Sequence, residues 1–274
     1  MTDKPVIAFI GGGNMARALV GGLIRNDHPA EQLCVADPNA EARAQLDGLG
    51  VCTLGDNLKA IEGADVIVLS VKPQALGAVA RELAAGLRPG QLVISIAAGV
   101  RVDTLRRWLN GHERIVRAMP NTPALVQAGA TGLFAPSEVS AAERARAESV
   151  LRAVGVCVWV EREDLIDSVT ALSGSGPAYV FLVMEAMQEA GEKLGLDAAT
   201  ARLLTLETVF GAARLALESK EDPAVLRARV TSPGGTTERG IAALESAGLR
   251  KAFADALKSA AERADELANM LDLA

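Results

Sequence analysis

Histidine, cysteine and aromatic residues are all scarce in this chain: 2 His, 3 Cys and 3% aromatic residues among 274. His28 follows the first helical stretch and His112 lies in turn-rich text, where solvated surface positions are expected. Whatever chemistry the protein performs should therefore not rest on imidazole. Cys34, Cys52 and Cys157 each stand beside Val or Leu in strand-like text, with no Cys-x-x-Cys pair. The expectation is buried thiols, with no disulfide framework, no zinc site and no bound metal. Few aromatics leave little to stack on nucleic-acid bases. A net charge of −6 without a basic cluster provides no footprint for a phosphate backbone or an anionic membrane. No stretch approaches the ~20 apolar residues of a spanning helix, and no signal-peptide pattern precedes the strand that begins at Val6. A cytoplasmic protein with neither nucleic-acid nor membrane partners is expected.

What is abundant is small and branched apolar side chains: Ala, Leu and Val carry most of a 50% hydrophobic composition, which suits helices packed closely on a parallel sheet. Short apolar runs at residues 6–10, 33–36, 66–70, 92–96, 115–119 and 156–160 alternate with helical patterns. That alternation predicts an α/β fold with a doubly wound parallel sheet. Residues 132–134 are Gly-rich and fit either a strand or a loop. After about residue 163 no convincing strand appears, and the text reads as helices broken at 195–197, 221–223 and 232–235. The predicted division is a dinucleotide-binding domain over 1–162 and an all-helical domain over 163–274. The first long helix, from Pro177 to about Leu194, is apolar nearly all round, from Ala178 to Met187. A helix with so little polar surface needs cover on several sides, so this half is expected to form a homodimer or a higher homo-oligomer. No internal repeat or low-complexity segment interrupts the pattern.

The opening run Val6-Ile7-Ala8-Phe9-Ile10-Gly11-Gly12-Gly13-Asn14-Met15-Ala16 is a strand, a Gly-rich turn and a helix start. This is the context in which a Gly-x-Gly-x-x-Ala pattern binds a dinucleotide. Gly11 permits the tight turn, Gly13 lets a pyrophosphate approach the backbone, and Ala16 is the third small position, where helix meets strand. Exposed amides at the helix start then hold the anion. Ile10, Gly11, Gly12, Gly13, Asn14 and Met15 are the candidate cofactor contacts. Asp37 closes the next strand, somewhat farther on than the ~20 residues usual for the ribose-binding acid of this fingerprint. An acid there favours NADH, whereas Arg43 could meet the 2′-phosphate of NADPH, and Asp37-Pro38-Asn39 also reads as a turn and helix cap.

Four further stretches narrow the reading: Ser70-Val71-Lys72-Pro73-Gln74, Met119-Pro120-Asn121-Thr122-Pro123, Leu172-Ser173-Gly174-Ser175-Gly176-Pro177-Ala178-Tyr179 and Val230-Thr231-Ser232-Pro233-Gly234-Gly235-Thr236-Thr237. With the Gly11 turn, and in this order and spacing over essentially the whole chain, they resemble the pyrroline-5-carboxylate reductase family. The resemblance implies an N-terminal Rossmann-type domain and a C-terminal helical domain that binds substrate and interleaves with a partner. It also implies hydride transfer from NADPH or NADH to the C=N bond of 1-pyrroline-5-carboxylate, giving L-proline in the last step of its biosynthesis. Carried over residue by residue, Ser70, Val71, Lys72 and Pro73 lie beside the nicotinamide ribose, with Asn57, Ile96, Ala97 and Ala98 as further cofactor contacts. Ser232, Gly234, Gly235, Thr236 and Thr237 take the substrate, with Thr237 as the catalytic hydroxyl at the ring nitrogen. Glu163 matches a position near the substrate amine, although among Glu161, Arg162 and Asp164 it also reads as a solvated charged turn. Arg229 departs from an Asn found in some relatives, which leaves that contact open.

A protonated cyclic imine already carries the charge that draws a hydride, so positioning dominates and a histidine-poor chain suffices. A hydroxyacid-dehydrogenase-like enzyme would instead need a helical Lys as proton acceptor, and Lys193, alone on the long helix, stands near its far end. A non-catalytic nucleotide sensor would have no use for the Ser232 to Thr237 stretch. A hydrolase built on Ser175 lacks the glycine that a nucleophile elbow needs where Ser173 stands.

Overall fold

The computed structural model describes residues 4–272. They form two compact units, one made of the chain through Ser175 together with the residues from Ser259 onward, the other of Gly176–Lys258.

In the first unit, β1 (Ile7–Ile10), β2 (Leu33–Ala36), β3 (Cys52–Leu54), β4 (Val66–Leu69), β5 (Leu92–Ser95), β6 (Ile115–Met119), β7 (Gly129–Phe134) and β8 (Gly155–Trp159) make one sheet in the order β3-β2-β1-β4-β5-β6-β7-β8. Every neighbouring pair is parallel except β6 and β7. The helices are α1 (Asn14–Arg25), α2 (Ala40–Ala44), α3 (Asn57–Ile61), α4 (Pro73–Leu83), α5 (Val102–Trp108), α6 (Ala141–Arg152) and α7 (Leu165–Val169). The period-2 geometry of a strand sends alternate side chains to opposite faces, and both faces are covered. Ile7, Phe9, Val66, Val68 and Ile94 join Leu19, Leu23 and Leu151 in one cluster. Ala8, Ile10, Ile67, Leu69 and Val93 join Ile61, Leu76 and Leu105 in the other. Burial on both faces is why these strands read as unbroken apolar runs.

Two strands depart from the sequence reading. β3 is a three-residue edge strand, partly exposed, so it carries no apolar run to betray it. The Gly-rich text is a strand, β7, antiparallel to β6. Gly132 is required there by packing, since a Cβ would stand 2.6 Å from Cγ1 of Val169.

The boundary expected after residue 162 falls inside the first unit. Arg117 of β6, 1% exposed, pairs with Glu163 at 3.2 Å and Asp167 at 3.3 Å, which ties α7 to the sheet. The C-terminal part of the last helix also belongs to this unit, through Arg101 with Asp265, Thr104 with Asp272, and Arg107 with Asp272 at 2.6 Å. Both histidines depart from the solvated positions expected of them. His28 is buried, with Nε2 3.1 Å from the Pro5 carbonyl oxygen, and half-buried His112 places Nε2 2.9 Å from that of Gln91. Burial lowers both pKa values from 6.5, against the backbone hydrogen bonds that raise them. Pro5 and Gln91 precede β1 and β5, so these rings sit at the end of the sheet where the strands begin.

The second unit contains α8 (Gly176–Lys193), α9 (Ala198–Glu218), α10 (Pro223–Arg229), α11 (Thr236–Ser246) and the first turns of α12 (Leu249–Asp272). α8 has no buried residue, and α9 buries only Ala201 and Thr205. Phe181 is 62% and Leu182 64% exposed. Among the described residues no helix is long and apolar enough to cross a membrane, and no cluster of three metal-ligating side chains occurs.

Candidate active site

Chain order reverses direction across the sheet between β1 and β4, and at such a switch point the loops leaving the two strands part to open a crevice at their C-terminal ends. The register makes Ile10 level with Ala36 and Leu69, and Leu69 level with Ser95. The residues that follow, Gly11, Asp37, Ser70 and Ile96, therefore emerge side by side. Gly11 turns at φ +102, and a Cβ on it would lie 2.8 Å from the Ser70 carbonyl oxygen. Its N–H donates to the Ala36 carbonyl at 2.7 Å. The Ser70 hydroxyl lies 2.9 Å from the Ile10 carbonyl oxygen and 2.8 Å from that of Gly11, so Ser70 clamps the turn from below. Gly12 donates its N–H to Oδ2 of Asp37 at 2.8 Å.

Gly13 then caps α1 in an extended conformation with no side-chain acceptor. A Cβ on Gly13 would meet no atom within 4 Å, so the chain's own packing does not call for glycine there. The uncapped first turn that begins with Asn14 and Met15 presents N–H groups at the positive end of a 12-residue helix. Ala16 is buried in the core beneath it. These are the properties an approaching pyrophosphate needs.

Asp37 also accepts from the Asn39 N–H at 2.8 Å, and its own N–H donates to the Leu54 carbonyl at 3.0 Å. The Arg43 guanidinium donates to the carbonyls of Asp37 at 2.6 Å and Pro38 at 3.1 Å. A carboxylate and a guanidinium thus stand at the same corner. Asn57 begins α3, one residue after its Asp56 cap, and donates to Glu82 at 3.2 Å. Exposed Lys72 caps α4 with Pro73 at its first position, and half-buried Val71 packs against the second core cluster. Ile96 donates to the Leu69 carbonyl at 3.2 Å and Ala97 to the Ser95 hydroxyl at 3.4 Å, which brings Ala97 and Ala98 to the same edge.

The middle motifs hold this unit together. Asn121 donates to the Ser173 carbonyl at 3.0 Å and accepts from the Ala130 N–H at 2.8 Å. Residues Thr170–Gly174 form a single π-helical turn, closed by the Ser175 N–H on the Thr170 carbonyl at 2.8 Å. Glu163 accepts from the Val102 N–H at 2.7 Å as well as from Arg117. It therefore caps α5, the helix that follows the Ile96 to Ala98 turn, and is not the solvated turn residue the sequence allowed. Arg117 was missed; its only signal was a lone charge inside an apolar strand.

In the second unit, Ser232 accepts the Gly235 N–H on its carbonyl at 3.0 Å, and Gly234 turns at φ +72. Gly235 caps α11 without a side-chain acceptor, and Thr236 and Thr237 open that helix with exposed side chains. Gly234 donates its N–H to Glu238 at 2.7 Å, so a carboxylate of the chain itself sits on this turn. Sequence reasoning missed Glu238, although a Glu at the third helical position is the spacing of a capping box. Arg229 is paired with Glu221 at 2.5 Å.

A family model described as pyrroline-5-carboxylate reductase dimerisation matches residues 163–267, and one described as NADP oxidoreductase, coenzyme F420-dependent, matches residues 6–99. The pyrroline-5-carboxylate reductase of Pseudomonas aeruginosa is 51% identical, over 98% of this chain and 99% of its own length. The solved pyrroline-5-carboxylate reductase of Coxiella burnetii superimposes with a TM-score of 0.92 at 50% identity, over 97% of this chain and 99% of that one. The Plasmodium falciparum pyrroline carboxylate reductase, solved with NADP bound, gives a TM-score of 0.85 at 28% identity, covering 96% of this chain and 98% of its own. With the Gly11 turn at a sheet switch point, a helical second unit and relatives matched over nearly their full length, this chain belongs to the pyrroline-5-carboxylate reductase family.

Proposed function

We propose that the protein reduces the C=N bond of 1-pyrroline-5-carboxylate to give L-proline, using NADH or NADPH, as a homodimer or higher homo-oligomer in the cytoplasm. The observation that carries this reading is the co-existence, in one chain, of an uncapped α1 behind the Gly11 to Gly13 turn and an intact Ser232 to Thr237 turn opening α11. A nucleotide-sensing module needs only the first.

Ile10, Gly11, Gly12, Gly13, Asn14 and Met15 hold the cofactor's pyrophosphate, and Asp37 takes the ribose hydroxyls. Asn57, Ser70, Val71, Lys72, Pro73, Ile96, Ala97 and Ala98 complete that site. When bound, the nicotinamide supplies a hydride. The substrate's carboxylate is held at the start of α11 by Ser232, Gly234, Gly235 and Thr236, and Glu238 must leave the Gly234 N–H for the carboxylate to reach it. Two carboxylates do not share one donor, so Glu238 turns away as the substrate's carboxylate arrives. The Thr237 hydroxyl accepts from the N–H of the protonated imine and donates to the nitrogen lone pair that hydride transfer creates. Glu163 acts through the α5 cap, fixing the turn before it. The exposed apolar faces of α8 and α9 are covered by a second copy, consistent with the dimerisation model that matches this half.

Initial rates of NADH and NADPH oxidation with 1-pyrroline-5-carboxylate test the reading. Turnover with at least one cofactor is expected, and no turnover with either removes it.

A further inference from the structure

Cys34 and Cys52 are direct partners in the parallel register of β2 and β3, and their sulfurs lie 2.9 Å apart as free thiols. They are 18 residues apart in sequence and share no motif. We propose that Cys34 and Cys52 form a reversible oxidation site, in which a peroxide closes an intrachain disulfide between the edge strand and its neighbour.

The backbone is already in place for this bond. Adjacent strands run about 4.8 Å apart, and a disulfide accepts Cα separations of roughly 4.4–6.8 Å. Starting from 2.9 Å, the sulfurs need to close by about 1 Å to reach bonding distance. The edge position of β3 leaves one partner accessible: Cys52 is exposed and Cys34 half-buried.

That asymmetry assigns an order. The Cys52 sulfur attacks a peroxide oxygen and the O–O bond breaks, leaving a sulfenic acid on Cys52 and releasing water. The Cys34 sulfur then attacks the Cys52 sulfur. The S–S bond forms, the S–O bond breaks, and the departing hydroxide leaves as water with the Cys34 proton. In total, two thiols and one hydrogen peroxide give one disulfide and two waters, with the sulfurs oxidised and the peroxide reduced. Burial, then the neighbouring Cys52, push the Cys34 thiol up to about 12, which keeps it from meeting the peroxide first; its slow attack as a thiol is offset by the sulfenic sulfur being held beside it. Cys157 supplies the contrast: it is buried, raised to about 11 mainly by that burial, and has no sulfur neighbour.

The bond would clasp β2 to β3 just before the corner where the Asp37 N–H meets the Leu54 carbonyl. It requires nothing of the reductase reading, because both thiols lie within the sheet and the chemistry is theirs alone.

The test treats the purified full-length protein with one equivalent of hydrogen peroxide, then alkylates, digests and maps peptides by mass spectrometry. The expected result is a chain lighter by two hydrogens, a linked peptide joining Cys34 and Cys52, alkylated Cys157, and full reversal by dithiothreitol. In Cys34→Ser, Cys52 should stop at a sulfenic acid that dimedone traps. The proposal is overturned if both thiols remain alkylatable, if Cys52 proceeds to sulfinic acid while Cys34 stays free, or if Cys52 links two chains.

Discussion

β1 is wholly apolar and α8 carries a nearly unbroken apolar run from Ala178 to Met187, yet every residue of β1 is buried and none of α8 is. β1 is flanked by β2 and β4 and covered by helices on both faces, so the first unit removes its own apolar surface from water. α8 meets only α9 within its unit at any length, and large side chains remain outside: Phe181, Leu182, Phe210 and Leu217 are all exposed. Apolar composition alone therefore does not tell whether a segment completes a core or requests a partner. The number of neighbouring elements its own chain supplies decides that. The two regions also place their chemistry differently. In the first unit the proposed cofactor site is backbone fixed by a rigid sheet, whereas in the second the proposed substrate site is a surface turn with exposed hydroxyls.

The largest expected effect comes from denying α8 its cover. Phe181→Glu loses about 1.5–3 kcal/mol of apolar burial on each subunit, counted twice across a symmetric interface, and adds the cost of an unpaired charge. Dissociation at micromolar concentration and loss of nearly all reductase activity are expected, read by light scattering and initial rates. An active dimer carrying Glu at 181 would break the comparison, because α8 would then need no partner.

The complementary change strikes the first unit. In Gly11→Ala the new Cβ meets the Ser70 carbonyl oxygen at 2.8 Å at a φ of +102. Strain of about 1–3 kcal/mol should open the turn and raise the cofactor KM roughly tenfold to hundredfold. The oligomer should be unchanged, and light scattering checks that half. If the assembly dissociates as well, the two units are not as separable as their burial suggests.

Much of this was legible beforehand for physical reasons. β1, β2, β4, β5 and β6 are buried on both faces and show as apolar runs, and the Gly11 turn is dictated by local geometry. β3 was not legible, since an edge strand needs no apolar run. β7 was obscured because Gly132 serves the packing of Val169, a contact between residues distant in sequence. The pairing of the thiols at 34 and 52, and the exposure of Cys52, are not legible in the sequence, because strand pairing at a sheet edge, not spacing, brings them together. The first compact unit runs on past residue 162 because Glu163 and Asp167 pair with Arg117, a long-range contact that local pattern cannot carry. At the site, the turns were legible, but the carboxylate of Glu238 on Gly234 was not.

A rate effect of similar size, without backbone strain, is expected at Thr237, whose side chain is exposed at the start of α11 and makes no cap. Thr237→Ala should lower kcat/KM for the imine roughly tenfold to hundredfold, or about 1–3 kcal/mol of transition-state stabilisation, with cofactor affinity and Tm almost unchanged. A fall in Tm with intact kinetics would make Thr237 a helix-start residue like any other. It would also remove the catalytic half of the contrast between rigid backbone and exposed hydroxyl.

The smallest effect should come from Asp37, where the first unit's site departs from pure backbone. Its carboxylate already holds the N–H groups of Gly12 and Asn39, so its charge is partly engaged whether or not a ribose is present. A second negative charge brought beside it by a 2′-phosphate is repelled, while the Arg43 guanidinium at the same corner is anchored to the Asp37 and Pro38 carbonyls. Asp37→Ser removes the repulsion and leaves the Arg43 anchors, which are backbone oxygens, in place. The ratio of kcat/KM for NADPH over NADH should rise about tenfold, equivalent to ~1.4 kcal/mol. Absolute rates with NADH should fall as the Gly12 N–H loses its acceptor. Measuring both cofactors on the same variant separates the two roles. If both rates fall together and the ratio stays constant, Asp37 serves the turn alone, and cofactor choice lies with Arg43.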